Sequence, residues 1–180
     1  PVAIQAATGG AWNGSAYTGA GLYPTTGTAP VAVAMVANDV TLEGFTIRRP
    51  DTCGGSNNCY FNVPGVLIGT LGIGYTNPAE IGGNTVRNNV FSDVWHGVVI
   101  WQSSDNTIEN NTINATPTNH WAGLAINDGG GSAPAYNSQN NIIHGNTINA
   151  GIMVGQWAAP GSDNSGTVID GNTVTTIWFL

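Results

Sequence analysis

Apolar residues along this chain recur in short alternating bursts, not at the three-to-four-residue spacing of an amphipathic helix. One burst returns five times: Val40-Thr-Leu-Glu-Gly-Phe-Thr-Ile47, Thr85-Val-Arg-Asn-Asn-Val-Phe91, Asn106-Thr-Ile-Glu-Asn-Asn-Thr-Ile113, Asn141-Ile-Ile-His-Gly-Asn-Thr-Ile148 and Thr167-Val-Ile-Asp-Gly-Asn-Thr-Val174. Each holds two apolar anchors five residues apart: Leu42/Ile47, Val86/Phe91, Ile108/Ile113, Ile143/Ile148 and Ile169/Val174. Period-2 alternation on either side of a break predicts two short strands joined by a sharp corner.

The corner has its own signature. Its second position is Gly44, Asn88, Asn110, Gly145 and Gly171, the two residue types that best tolerate the left-handed region. The next position is Phe45, Asn89, Asn111, Asn146 and Asn172, on the inward parity. A stack of inward amides at Asn89, Asn111, Asn146 and Asn172 would satisfy one another and the backbone from coil to coil. A third strand precedes most corners: Gly65-Val-Leu-Ile68, Gly97-Val-Val-Ile100, Gly123-Leu-Ala-Ile126 and Gly151-Ile-Met-Val154. The pattern predicts an all-β solenoid of about five coils, three strands to a coil. The uneven spacing of the Gly-led strands implies loops of variable length on a constant core.

These segments resemble the parallel β-helix repeats of the pectate-lyase-like superfamily, especially its carbohydrate-binding and sugar-hydrolase subset, which includes the periplasmic NosD-type proteins. The resemblance covers roughly residues 30 to 175 and implies a right-handed parallel β-helix. It leaves the activity open, because the fold hosts lyases, hydrolases, epimerases, adhesins and phage tail proteins. Residues 1–29 read as an N-terminal strand, Val2–Gln5, with a long loop that belongs to an earlier coil. Residues 30–180 read as the coils proper. Neither end carries a capping helix. A solenoid without caps is expected either to be a piece of a longer one or to stack end to end.

Composition narrows the partners. Only 7% of residues are charged, Lys is absent, and the net charge is −7. That argues against nucleic acid and against an anionic membrane surface, since both need basic side chains. No apolar run is long enough for a helical membrane span. The chain begins at Pro1, as expected of a processed or trimmed product. Cys53 and Cys59 are close enough in sequence for a small disulfide loop, which would place the chain outside the cytoplasm: extracellular, on the cell surface or periplasmic. Two free thiols remain the alternative. Asn13, Asn110 and Asn114 begin glycosylation sequons, of the number chance supplies in so Asn-rich a chain.

Four surfaces are candidates for chemistry. Glu43, Arg87, Glu109, His144 and Asp170 share one repeat position and form either a binding stripe or an ion ladder of modest worth. The outward column Leu67, Val99, Ala125 and Met153, with Trp95, Trp101, Trp121 and Trp157 beside it, is apolar where polar residues are expected. It reads as an aromatic carbohydrate-contacting face unless other chain covers it. Asp93, His96, His120 and Asp128 are the acid–base candidates near that face, although ordinary strand-edge polarity also accounts for them. Thr46, Thr112, Thr147 and Thr173 form a Thr column that β-propensity explains. Polygalacturonase-type Asp-Asp and Gly-His-Gly motifs are missing, as is a run of acidic calcium ligands.

The expectation is therefore a non-catalytic module in a structural or adhesive role, self-assembling end to end and touching a polysaccharide or cell-surface glycan. No cofactor or metal is expected. The alternative is a polysaccharide lyase or glycoside hydrolase domain, with calcium relevant only if it is a lyase.

Overall fold

A computed structural model describes residues 2–5, 11–12, 33–48, 64–69, 81–94, 96–115, 122–127, 137–155 and 163–179. The described elements are all strands, paired in parallel. The first sheet stacks β1 (Val2–Gln5), β4 (Val40–Glu43), β8 (Thr85–Arg87), β12 (Thr107–Glu109), β15 (Ile142–His144) and β18 (Val168–Asp170). The second holds β2 (Ala11–Trp12), β5 (Thr46–Arg48), β9 (Val90–Val94), β13 (Thr112–Ala115) and β16 (Thr147–Ile148). The third holds β3 (Val33–Met35), β6 (Pro64–Gly69), β10 (His96–Trp101), β14 (Leu124–Asn127), β17 (Ile152–Val154) and β19 (Ile177–Phe179). A short pair, β7 (Ile81–Gly82) and β11 (Ser103–Ser104), sits between the third sheet and the first.

The chain visits first, second and third sheet in turn, then starts the next layer. Two sheets contain six strands each. The additional layer, beyond the five segment copies in the sequence, comes from β1, β2 and β3, which pair with β4, β5 and β6.

Register stacks the anchors into continuous columns. Leu42, Val86, Ile108, Ile143 and Ile169 are successive partners, and Ile47, Phe91, Ile113 and Ile148 form the second column. The third sheet adds Val66, Val98, Leu124, Ile152 and Ile177, and beside them Ile68, Ile100, Ile126, Val154 and Phe179. In the middle layers these side chains are almost wholly buried in one core. Burial of a Leu, Ile, Val or Phe side chain contributes about 1.5–3 kcal/mol, which makes this core the main source of stability.

The glycines near the start of β6 and β10 have a steric cause. A Cβ at Gly65 would stand 2.7 Å from Phe91 Cδ1, and one at Gly97 2.6 Å from Ile113 Cγ2. The anchor of the second sheet fills that space.

The corner between the first two sheets is left-handed at every layer from Gly44 to Gly171, with φ of 55° at Asn88 and Asn110 and 65° at Gly145. Behind it the amides form a one-way ladder. The backbone N–H groups of Phe45, Asn89, Asn111 and Asn146 donate to the Oδ1 atoms of Asn89, Asn111, Asn146 and Asn172, at 2.9–3.0 Å. Their Nδ2 groups return to backbone carbonyls one coil back, as from Asn111 to Val86 O at 2.9 Å.

A second ladder stands at the corner that leads into the first sheet. Val40, Asn84 and Asn106 donate their N–H groups to Asn84, Asn106 and Asn141 Oδ1 at 2.9–3.1 Å. Another left-handed series precedes it: Asp39, Gly83, Asp105, Asn140 and Gly166. Ser103 and Ser138 line the same corner, accepting from Asn106 and Asn141.

Candidate functional site

The charged column is real and in register: Glu43 pairs with Arg87, Arg87 with Glu109, Glu109 with His144, and His144 with Asp170. It lies on the outward side of the first sheet because the inward parity belongs to the core anchors. Arg87 Nη2 bonds Glu43 Oε2 at 3.0 Å, and Nη1 lies 3.9 Å from Glu109 Oε1. Asn88 Nδ2 adds a bond to Glu43 Oε1 at 3.0 Å. The Arg87 hydrogen bond, then that of Asn88, holds the Glu43 carboxyl below its usual range. The side chains of Arg87 and Glu43 keep 42% and 23% of their surface, so solvent screens the pair. Farther along, His144 Nδ1 meets Asp170 Oδ1 at 2.8 Å, with both side chains about half exposed. The arrangement ties neighbouring strands together. Among the described residues, no group of three or more His, Cys, Asp and Glu is placed to hold a metal ion.

The third sheet corrects an expectation. Its outward column is covered: Leu67 is 2% exposed, Val99 4%, Ala125 1% and Met153 1%. They form a second apolar cluster with Ala122 and Trp101, and Trp178 packs against it. Trp101, expected among the solvent-facing aromatic contacts, closes strand β10 and is 8% exposed. A bound sugar cannot stack on it in this conformation. The physical reason is visible in the strands themselves. Val66-Leu-Ile and Val98-Val-Ile are unbroken apolar runs, the mark of parallel strands buried on both faces.

Of the acid–base candidates, His96 opens β10, and its Nδ1 lies 2.6 Å from the Ala122 carbonyl of the next coil. A carbonyl only accepts, so that nitrogen carries the proton and donates. Asp93 lies in β9, where its backbone alone is described. His120 and Asp128 lie outside the described residues, as do Trp95, Trp121 and Trp157 and the cysteines Cys53 and Cys59. Of the four acid–base candidates only His96 has a described side chain, so how the four lie relative to one another falls outside the described residues.

Further polar side chains also act between coils. Gln139 Nε2 donates to Asp163 Oδ2 at 2.6 Å, and Asn140 Nδ2 to Asp105 Oδ1 at 3.2 Å. The Ser165 backbone N–H, and then its side chain, hold the Asp163 carboxyl below its ordinary range.

Comparison with known proteins agrees with the stacked architecture. The family model described as "Right handed beta helix region" matches residues 39–178, from the first described corner to the last strand. No curated protein and no solved structure matches the chain. With the parallel three-sheet stack, the two corner series and a family match over most of its length, the chain belongs to the right-handed β-helix family.

Proposed function

We propose that the chain is a non-catalytic β-helix module that works outside the cytoplasm in a structural or adhesive role and contacts carbohydrate through Trp95, Trp121 and Trp157. One observation carries the reading. Most of the charged column and both inward Asn series are engaged with neighbouring coils, in the Glu43–Arg87–Glu109 and His144–Asp170 contacts and in the two Asn ladders. Groups held in that way stiffen a frame, whereas acid–base chemistry needs groups poised on a shared substrate. Three of the four candidate aromatics remain for glycan contact once Trp101 is assigned to the second cluster. Aromatic faces suit the apolar faces of sugar rings, and the scarcity of charge suits a neutral glycan.

The test has two arms run on the same panel of soluble and insoluble polysaccharides. In the binding arm, retention on at least one polysaccharide is expected, weakened about tenfold by replacing Trp95, Trp121 and Trp157 together with Ala. In the cleavage arm, neither unsaturated products nor new reducing ends are expected. Cleavage abolished by Asp93→Asn or Asp128→Asn would replace this reading with that of a lyase or hydrolase. An absence of retention on every polysaccharide would remove the carbohydrate contact.

A further inference from the structure

His96 occupies a place that its neighbours in the stack fill without a polar side chain. It pairs in register with Pro64 of the coil before. Two residues farther on, Val98 pairs with Leu124, which brings Ala122 beside His96 in the coil after. Pro64 and Ala122 are buried, whereas His96 is partly exposed. Packing alone does not call for an imidazole there.

The ring is nevertheless held in one orientation. Its Nδ1 donates to Ala122 O at 2.6 Å, from one coil to the next. The backbone continues the pairing, with Gly97 N donating to Gly123 O at 2.6 Å. Donation by Nδ1 fixes the tautomer, so in the neutral ring Nε2 is the acceptor. The sequence sets two of the three remaining aromatic contacts next to this bond. Trp95 is the residue before His96, and Trp121 is the residue before Ala122. The His96 and Ala122 segments enter the third sheet one coil apart, a rise of about 4.8 Å. Trp157 instead comes after its strand, β17, which ends at Val154.

We infer that His96, with Trp95 and Trp121, forms one glycan subsite at the corner between the second and third sheets, where Nε2 accepts a hydrogen bond from a sugar hydroxyl. The inference rests on the glycan-contact reading and divides it, because Trp157 then belongs to a separate contact. Aromatic rings hold the apolar faces of sugars but discriminate little among neutral ones. A fixed acceptor does discriminate, since it favours the sugar whose hydroxyl reaches it. His96 is thus a specificity-determining residue.

The experiment measures retention of the full chain on the polysaccharide panel, with thermal unfolding of each variant alongside. His96→Asn keeps a donor at the Nδ1 position for Ala122 O and removes the Nε2 acceptor. It is expected to unfold as the native chain does and to lose about tenfold in retention on the best-retained polysaccharide. His96→Gln has an amide that reaches the Nε2 position but not the Ala122 carbonyl. It is expected to unfold at lower temperature and to keep retention within about threefold of native. In double-mutant cycles His96→Asn should be coupled to Trp95→Ala and Trp121→Ala and additive with Trp157→Ala. Retention that is indifferent to His96→Asn overturns the inference and leaves the glycan-contact reading standing. Where His96→Asn itself lowers the unfolding temperature, His96→Gln decides: retention lost there too gives His96 a purely structural role. A native chain retained on no polysaccharide removes that reading and this inference with it.

Discussion

Asn111 shows what a single side chain does in this molecule. Its Oδ1 accepts the backbone N–H of Asn89, and its Nδ2 donates to Val86 O and to Asn146 Oδ1, all at 1% exposure. Truncation strands those partners away from water. Asn111→Ala is expected to lower stability by about 3 kcal/mol, read from a urea transition, because an unmatched buried polar group costs about 1–3 kcal/mol. Asn172→Ala, at the half-buried end of the same column, should cost distinctly less. Gly145 combines two constraints: its φ is +65°, and an added Cβ would stand 2.6 Å from Asn110 Oδ1. Gly145→Ala should lose about 1–2 kcal/mol from the left-handed conformation plus a steric part. Asn110→Gly in the same chain should relieve only the steric part, a difference that a double-mutant cycle resolves. For Glu43 the sign follows from its depressed carboxyl: the Arg87 and Asn88 bonds contribute fully above the unfolded value, near 4.5, and are lost as pH falls through the lower folded value. A small excess stability of the native chain over Glu43→Gln is therefore expected at neutral pH, closing in acid, in urea titrations at stepped pH.

At the scale of strands, the first two sheets were legible because they alternate cleanly and because only Gly and Asn occupy their shared corner. The second ladder was not, although its residues lay in view. Its column begins at Val40 and ends at Thr167, so only three of five layers carry Asn, and its left-handed series mixes Asp, Gly and Asn. The third sheet misled in another way. Parity correctly separated Val98 and Ile100 from Val99, but parity says which face a residue is on and not whether that face is wet. The unbroken apolar run was the better signal, and it placed Trp101 in a second cluster. Trp101→Ala is accordingly expected to cost about 3–5 kcal/mol of stability without changing polysaccharide retention below the unfolding temperature. A change in retention by the folded variant would return Trp101 to the contact surface. The site itself was less legible than the fold. Register can be read from repeats, whereas Trp95, His120, Trp121, Asp128 and Trp157 lie between the repeated strands or beside them, where no repetition constrains their position.

The described strands form a one-dimensional stack, each paired with those of the layers before and after it. Among the described residues, layers in the middle have two neighbours and the layer of β18 and β19 has one. Native-state hydrogen exchange should therefore be slowest in β8, β12 and β10 and fastest in β18 and β19, with opening energies falling toward that edge. Uniform protection across all strands would mean that the stack opens as a single unit.

The corner amides advance by very unequal lengths of chain: 44 residues from Phe45 to Asn89, then 22, 35 and 26 to Asn111, Asn146 and Asn172. Yet each step makes the same bond at nearly the same length. The vertical rise of a layer is thus uncoupled from the amount of sequence used to complete it. Inserted or deleted segments between strands lengthen or shorten an excursion and leave the next rung in place, at an entropic cost that grows only slowly with length. A lineage carrying this architecture can exchange what it displays at its sides by cut-and-paste changes while inheriting an unchanged axis. Related chains are therefore expected to differ far more in length between their strands than in the strands themselves.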